Sequence, residues 1–380
     1  MKGIYFDNAA TTPMDNEVVE AMLPYMKEYF GNPSSTHAFG RKVKSAVESS
    51  RMEIAKHLNC DAQEVYFTSG GTEADNIAIK CSVRDLGIKH IISSPIEHHA
   101  VLHTVQELEE KENVKLSMVD IKPNGHVDMD HLKTLLEESD ERCLVSLMHG
   151  NNEIGNLLPL KRVGDLCKKY DAIFHSDTVQ TMAHYKINLE DIHVHFITGS
   201  AHKFHGPKGA GFLYKNKDIS LEALIHGGSQ ERNLRAGTEN IYGIVGLAKA
   251  MEIAHRDMEE HQKHVQGLKD LMIKELEEKV PGVEFVGDAK GSSLYTVLNV
   301  QFPESENGDM ILFNLDLQGI AISGGSACSS GSTSRSHVQE TLNTAPEKPT
   351  IRFSFSRFNT EEEVRECAKK VSSLFETENA

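Results

Sequence analysis

In the first two-thirds of this chain, short apolar runs alternate with helical stretches, and that rhythm constrains the fold more than any other feature. Strands are expected at 64–68, 90–93, 115–119, 144–148, 173–175, 196–200 and 210–214. Helices are expected at 16–29, 42–58, 73–83, 100–112, 130–139 and 160–170. Strands separated by helices must be joined by crossovers, which gives a largely parallel sheet with helices on both faces.

The pattern then changes. A long charged helical stretch is expected over 241–280, followed by strands at 295–302 and 351–355 and helices at 310–317 and 360–375. This reads as a smaller α+β unit, and 380 residues exceed what one core ordinarily fills. The fold class is therefore α/β, a large domain with a mostly parallel sheet plus a smaller α+β domain. Residues 324–336 hold three Gly, six Ser and one Thr around Cys328, a composition that predicts a mobile loop.

Composition excludes several functions. With 56 acidic against 40 basic residues the net charge is −16, which argues against nucleic-acid or anionic-membrane partners. No apolar stretch approaches the roughly 18–20 residues of a membrane span, and the N-terminus lacks the apolar core of a signal peptide. Six cysteines are scattered without a CxxC pair, as in reduced thiols of the cytoplasm.

Three segments carry chemistry. Phe67 to Asn76 places a Gly-containing turn between a strand and a helix N-terminus, where free N–H groups, the helix dipole and the Thr72 hydroxyl favour an anion. Ser200 to Gly209 puts Lys203 just past a strand end, in reach of the crevice where open α/β sheets bind ligands, and there it could form a Schiff base. Spacing alone does not exclude Lys208. Asp177 ends another strand. A lysine for an aldehyde, a carboxylate for a pyridine nitrogen and an anion cradle are the three requirements of a pyridoxal cofactor. His98, His99 and His103 raise the competing reading of a metal site, but adjacent His98 and His99 cannot share a helix face, and no metal-ligand spacing is present. No metal is expected.

These segments belong to a longer series: Tyr5 to Pro13, Gly31 to Ser35, Phe67 to Asn76, Glu97-His98, His149 to Gly155, Asp177 to Gln180, Ser200 to Gly209, Arg235 to Thr238, Ser326-Ala327-Cys328 and Ile351 to Ser354. In this order they resemble the cysteine desulfurases, fold-type I pyridoxal-phosphate enzymes of the aminotransferase class V superfamily. The similarity is to the subgroup with a Ser-Ala-Cys loop that serves iron–sulfur cluster assembly.

The resemblance implies roles position by position. Lys203, rather than Lys208, would bond the cofactor aldehyde. Gly71, Thr72, Ser200 and His202 would hold the phosphate, with Thr238 reaching it from a neighbouring subunit of a homodimer. Asp177 would pair with the ring nitrogen, Asn152 and Gln180 would bond the ring hydroxyl, and His98 would cover one ring face and carry protons while Val179 packs the other. Arg352, with Asn152, would hold the carboxylate of L-cysteine, and Cys328 would take the sulfur as a persulfide, leaving L-alanine. His98 and Arg335 are candidates for lowering the Cys328 pKa. The implied sulfur acceptor is an iron–sulfur scaffold or relay protein. By the same resemblance, residues 15–256 form the cofactor domain, and 1–14 with 257–380 form the smaller one. Thr178 and Ala201 stand where the family often has Ala and Gly, small changes expected to leave the chemistry intact.

Overall fold

The computed structural model describes residues 3–305, 308–324 and 335–376. In chain order, β1 (Ile4–Tyr5), α1 (Asn16–Lys27), α2 (Ala38–Leu58), β2 (Val65–Thr68), α3 (Gly71–Leu86), β3 (His90–Ser93) and α4 (His99–Glu112) come first. Next are β4 (Lys115–Met118), α5 (Met129–Glu137), β5 (Cys143–Ser146), α6 (Leu160–Lys169), β6 (Ile173–Asp177), β7 (Phe196–Ser200) and β8 (Gly211–Lys215). The last third holds α7 (Ile241–Arg256), α8 (Met258–Lys279), β9 (Glu284–Phe285), β10 (Val297–Gln301), α9 (Ile311–Leu317), β11 (Ile320–Ala321), α10 (His337–Thr341), β12 (Thr350–Ser354) and α11 (Glu361–Glu376).

Seven strands form the main sheet in the order β2-β8-β7-β6-β5-β3-β4. Only β8 runs antiparallel to its neighbours; the other four pairs are parallel. Alternation along each strand feeds two cores. Val65, Phe67, Val145, Phe174, Ile197 and Phe212 pack with α2, α6 and α7 on one face. Tyr66, Leu144, Ile173, Phe196 and Leu213 pack with α3 and α4 on the other. A period of two is what a strand imposes on side chains, and burial of both faces explains the near-continuous apolar runs.

A third core lies outside this sheet. There α8 and α11 pack Val265, Leu268, Met272, Val364 and Val371 against the antiparallel β9-β10-β12 sheet. The N-terminal segment joins this unit: β1 pairs with β11 in parallel, and Phe6 meets Phe355 edge-on at 5.3 Å. None of the two-residue strands β1, β9 and β11 was expected from the sequence, nor was α10.

The single helix expected over 241–280 is two helices. Asp257 leaves helical geometry at φ −110°, ψ 16°, and its N–H closes α7 on the Ile253 carbonyl. Neither Gly nor Pro causes the break. Ile244, Leu247 and Met251 of α7 serve the sheet core, whereas Leu268, Met272 and Leu276 of α8 serve the third core, so the chain must turn between them. No helix among the described residues is long and apolar enough to cross a membrane.

Seven histidines (His149, His175, His184, His195, His202, His205 and His255) are pushed down by burial, six to about 4 and His205 to about 3. Each stays neutral in the folded chain at a pH where the unfolded chain takes a proton, so stability rises with pH across that interval. Burial raises Asp75, Asp177 and Glu97, to about 7, about 6 and about 8, and raises Glu153 and Glu239 as well; these act in the opposite sense but are fewer. The apoprotein should therefore lose stability as pH falls from about 6.5 toward 4. Urea midpoints at pH 7, 6 and 5 check this, and an unchanged midpoint would contradict the burial of neutral imidazoles.

Candidate active site

The carboxyl ends of β2, β6 and β7 deliver Thr68, Asp177 and Ser200 to one edge of the sheet, and a cavity of about 280 Å³ opens there. Of the residues the sequence singled out, Gly71, Thr72, His98, Asn152, Asp177, Val179, Gln180, Ser200, His202, Lys203 and Arg352 all line it. Lys208 does not: it is exposed and borders a separate depression with Thr12 and Tyr242. Geometry thus separates two lysines that spacing left equivalent. Thr238 is exposed and lies outside the cavity of its own chain. Cys328 lies outside the described residues.

The helix end at Gly71 is drawn close to the sheet. A Cβ on Gly71 would stand 2.5 Å from Val179 Cγ2, so any side chain would push the α3 N-terminus away from the loop after β6. Gly211 on β8 makes a second close approach, where a Cβ would come within 2.6 Å of both the Gly199 carbonyl oxygen and Gly70 Cα. The turn is braced by Glu73, which accepts from Ser69 N at 2.8 Å and from Arg235 Nε at 2.7 Å.

Lys203 Nζ donates to the carbonyls of Ala9 at 2.6 Å and Ala10 at 2.9 Å, and Gln180 Nε2 donates to Ala9 at 3.0 Å. The N-terminal segment is therefore part of the cavity wall, a role the sequence reading did not assign to Ala9 and Ala10. Thr12 Oγ1 extends the tie by donating to the His202 carbonyl at 2.9 Å.

Three buried carboxyls lie here: Asp75 and Asp177 line the cavity, and Glu97, next in sequence to His98, borders a neighbouring depression. Burial pushes all of them up: Glu97 to about 8, Asp75 to about 7 and Asp177 to about 6. Asp177 is the one that ionises first, helped by the Val179 N–H, which donates to Oδ1 at 2.9 Å. Asp75 lies 3.3 Å from the buried ring of His175. The sequence reading missed Asp75, Glu153, His99 and His337 as lining residues; Asp75 and Glu153 lie within the motif segments but at no strand end, and His99 and His337 lie outside them.

His98 caps α4, its Nδ1 accepting from Ala100 N at 3.1 Å. Burial lowers its pKa, so the ring is neutral and its proton sits on Nε2. Arg335, the other candidate for activating Cys328, is already engaged: its Nη2 donates to the Gln339 carbonyl at 2.9 Å, to Thr344 Oγ1 at 3.0 Å, and to the Thr344 carbonyl. Arg352 is not an exposed strand residue. It is 1% exposed, and it donates from Nη1 to the Asn152 carbonyl and from Nη2 to Asp7 Oδ1, both at 2.9 Å.

The profile described as aminotransferase class-V matches residues 4–366. The chain belongs to this family. A curated relative, the cysteine desulfurase IscS of Dictyoglomus turgidum, is 43% identical over 365 residues, spanning 95% of this chain and 91% of the relative. A solved NifS-like protein superposes with TM-score 0.91 at 35% identity, covering 99% of this chain and 100% of its own. The structure titled SspA in complex with cysteine matches with TM-score 0.79 at 31% identity, covering 94% and 100% of the two chains.

Class-V aminotransferases use pyridoxal phosphate, and this cavity fits that group. An anionic phosphate matches the α3 N-terminus at Gly71-Thr72, where the helix offers free N–H donors. A cationic ring nitrogen matches Asp177, a buried carboxyl with no basic side chain among its hydrogen-bond partners in the described residues. An aldehyde matches Lys203, which stands on the same wall.

The charge state of Glu97 can be tested apart from any cofactor. Its Oε1 accepts from Ser94 Oγ at 2.7 Å and Met148 N at 3.1 Å, so the proton belongs on Oε2. A carboxyl raised in the folded state stabilises below its folded pKa and loses that contribution as pH climbs through it. Glu97→Gln mimics the protonated form and keeps an acceptor for Ser94 and Met148. Between pH 7 and 9 the wild type should lose on the order of 1 kcal/mol more than this variant. Equal losses in urea titrations would show that Glu97 is ionised throughout.

Proposed function

We propose that this chain is a cysteine desulfurase that converts L-cysteine to L-alanine and leaves the sulfur on Cys328 as a persulfide. The observation that carries the reading is the convergence of Lys203, Asp177, the Gly71-Thr72 helix end and Arg352 on one cavity. None of these has an evident reason to meet in a structural core. Gly71 and Thr72, with Ser200 and His202, hold the phosphate. Asn152 and Gln180 face the ring hydroxyl, and Thr238 serves the partner subunit of a homodimer. Exposed Phe30, Phe39, Met26 and Tyr242 favour such a dimer, since isolated monomers seldom leave so many large apolar side chains in water. We divide the chain into a cofactor domain at 15–256 and a smaller domain at 1–14 and 257–380.

When bound, pyridoxal phosphate draws the electron pair from the substrate's α-carbon into its protonated ring. The protein's part follows from where its groups stand. Asp177, as a carboxylate, keeps the ring nitrogen protonated. Arg352 orients the substrate carboxylate, and the Lys203 amine takes the α-proton. His98 would cover one face of the cofactor ring and present Nε2–H as a donor, and the Ala100 N–H on Nδ1 holds the imidazole against flipping. The Cys328 thiolate attacks the substrate sulfur, the Cβ–S bond breaks, and its electron pair stays with carbon; a proton at Cβ and the return of the α-proton from Lys203 complete alanine. One thiol is consumed, one C–S bond becomes C–H, and one persulfide forms. An iron–sulfur scaffold or relay thiol then removes the sulfur by exchange. Scattered single cysteines favour the reducing cytoplasm as the place of work.

Two substitutions test the assignment of the lysine. Lys203→Ala should lose turnover by several orders of magnitude while still binding the cofactor non-covalently, whereas Lys208→Ala should stay within a few-fold of wild type. Loss of the borohydride-reducible cofactor link in the Lys208 variant alone would reverse the assignment.

Cys328→Ala should keep the cysteine-dependent change in the cofactor spectrum yet form no alanine above background. The thiols of Cys81, Cys143, Cys167 and Cys367 are buried and raised by burial, so they are poor substitutes. Peptide mass analysis after cysteine treatment should place one added sulfur on the Cys328 peptide; sulfur mainly elsewhere would refute the role.

A further inference from the structure

Behind Arg352 stands a carboxylate that does not line the cavity. Asp7 Oδ1 accepts from Arg352 Nη2 at 2.9 Å and from Ser323 Oγ at 2.6 Å, so one oxygen holds both donors. The backbone adds a second clasp: Arg352 N donates to the Ser323 carbonyl at 2.7 Å. Asp7 is 21% exposed at its side chain and Arg352 1%. Among the described residues, Asp7 is the carboxylate within ion-pair distance of this guanidinium. Glu153 acts on it only from further away, and its Oε2 is taken by Ser336 Oγ at 2.6 Å.

A buried guanidinium must have its charge offset, or the fold bears the full desolvation penalty. The same offset has a consequence for anything that Arg352 binds. A carboxylate arriving from the cavity meets a pair that is already close to neutral, and its attraction comes mainly from the hydrogen bonds still open on the guanidinium.

Resting on the reading that Arg352 takes the substrate carboxylate, we infer that Asp7 is a positioning residue that sets the affinity for the amino acid's carboxylate, by fixing the aim of Arg352 and weakening its charge. The weakening has a use, because the product L-alanine carries the same carboxylate as the substrate and must leave. Asp7 touches neither molecule and acts through Arg352.

Charge and aim can be separated by substitution. Asp7→Asn keeps an oxygen acceptor for Arg352 and Ser323 but removes the negative charge, so KM for L-cysteine and the calorimetric Kd for L-alanine on the holoenzyme should both fall, by roughly tenfold. Asp7→Ala removes the acceptor as well, so the guanidinium loses its aim and KM should rise. Ser323→Ala leaves the ion pair in place and frees Oδ1 for Arg352 alone, which should raise KM by roughly twofold; it carries the test if the Asn variant does not fold. Inhibition by cysteamine, which has no carboxylate, should be the same in wild type and Asp7→Asn.

Arg352→Lys sorts the outcomes. It should raise KM for cysteine, because a point charge replaces a fork. If it does not, the carboxylate clamp itself is wrong. If it does, but Asp7→Asn leaves cysteine and alanine binding unchanged or shifts cysteamine equally, the clamp stands and the role of Asp7 is overturned.

Discussion

The close approach of backbone at the edge of β2, β8 and β7 is the constraint on which the rest of the site depends. Gly211 brings β8 to within contact of Gly70 and Gly199, and Gly71 seats the first turn of α3 against Val179. Only hydrogen in place of Cβ permits that spacing. It places a helix N-terminus beside the end of β7, one turn from Lys203 and across from Asp177 at the end of β6. The antiparallel insertion of β8 into an otherwise parallel sheet is what makes β2 and β7 near neighbours without a second crossover helix between them.

A second constraint comes from the N-terminal segment, which belongs by packing to the smaller unit and by function to the larger. Phe6 is buried in the core of α8 and α11, and Asn8 donates to the Ser354 carbonyl at 2.9 Å. A few residues later, Ala9 and Ala10 hold the lysine, and Thr12 holds the carbonyl of His202. Asp7 sits between these anchors on Arg352. One extended strap thus connects the substrate-facing arginine to the lysine wall, and ordinary burial of Phe6 keeps both in register.

Much of this was legible in the residues, for identifiable reasons. Strands β3 and β7 were read to the residue because both faces are buried and their apolar runs end in polar strand-end residues. Asp177, Lys203 and the Gly71-Thr72 turn were legible because each sits at a strand end, where an α/β sheet presents its ligands. The break at Asp257 was not, since both halves are good helices and only the presence of two cores forces the turn. β1 and β11 are too short to show a period. Asp75, Glu153 and His337 reach the site through tertiary packing, which no local spacing encodes. The choice between Lys203 and Lys208 lay between these cases: neighbours in sequence, they face different cavities only once Gly206-Pro207 has turned the chain. Cys328 rests on its sequence motif.

The strap also fixes an order of events during synthesis. Its residues leave the ribosome long before their partners: Ile4 pairs with Ile320 and Asn8 bonds Ser354, 316 and 346 positions later. At a translation rate of about 5–20 residues per second, the strap waits for tens of seconds with Phe6 exposed. The parallel sheet can close around its own helices in that time, and Lys203 and Gln180 can reach the Ala9 and Ala10 carbonyls, but the strap's contacts at Phe6 and Asn8 wait until β12 has emerged. A nascent chain therefore carries an unfinished crevice, and competence to hold the substrate arrives with the last strand, which brings Arg352, rather than with the domain that supplies most of the contacts.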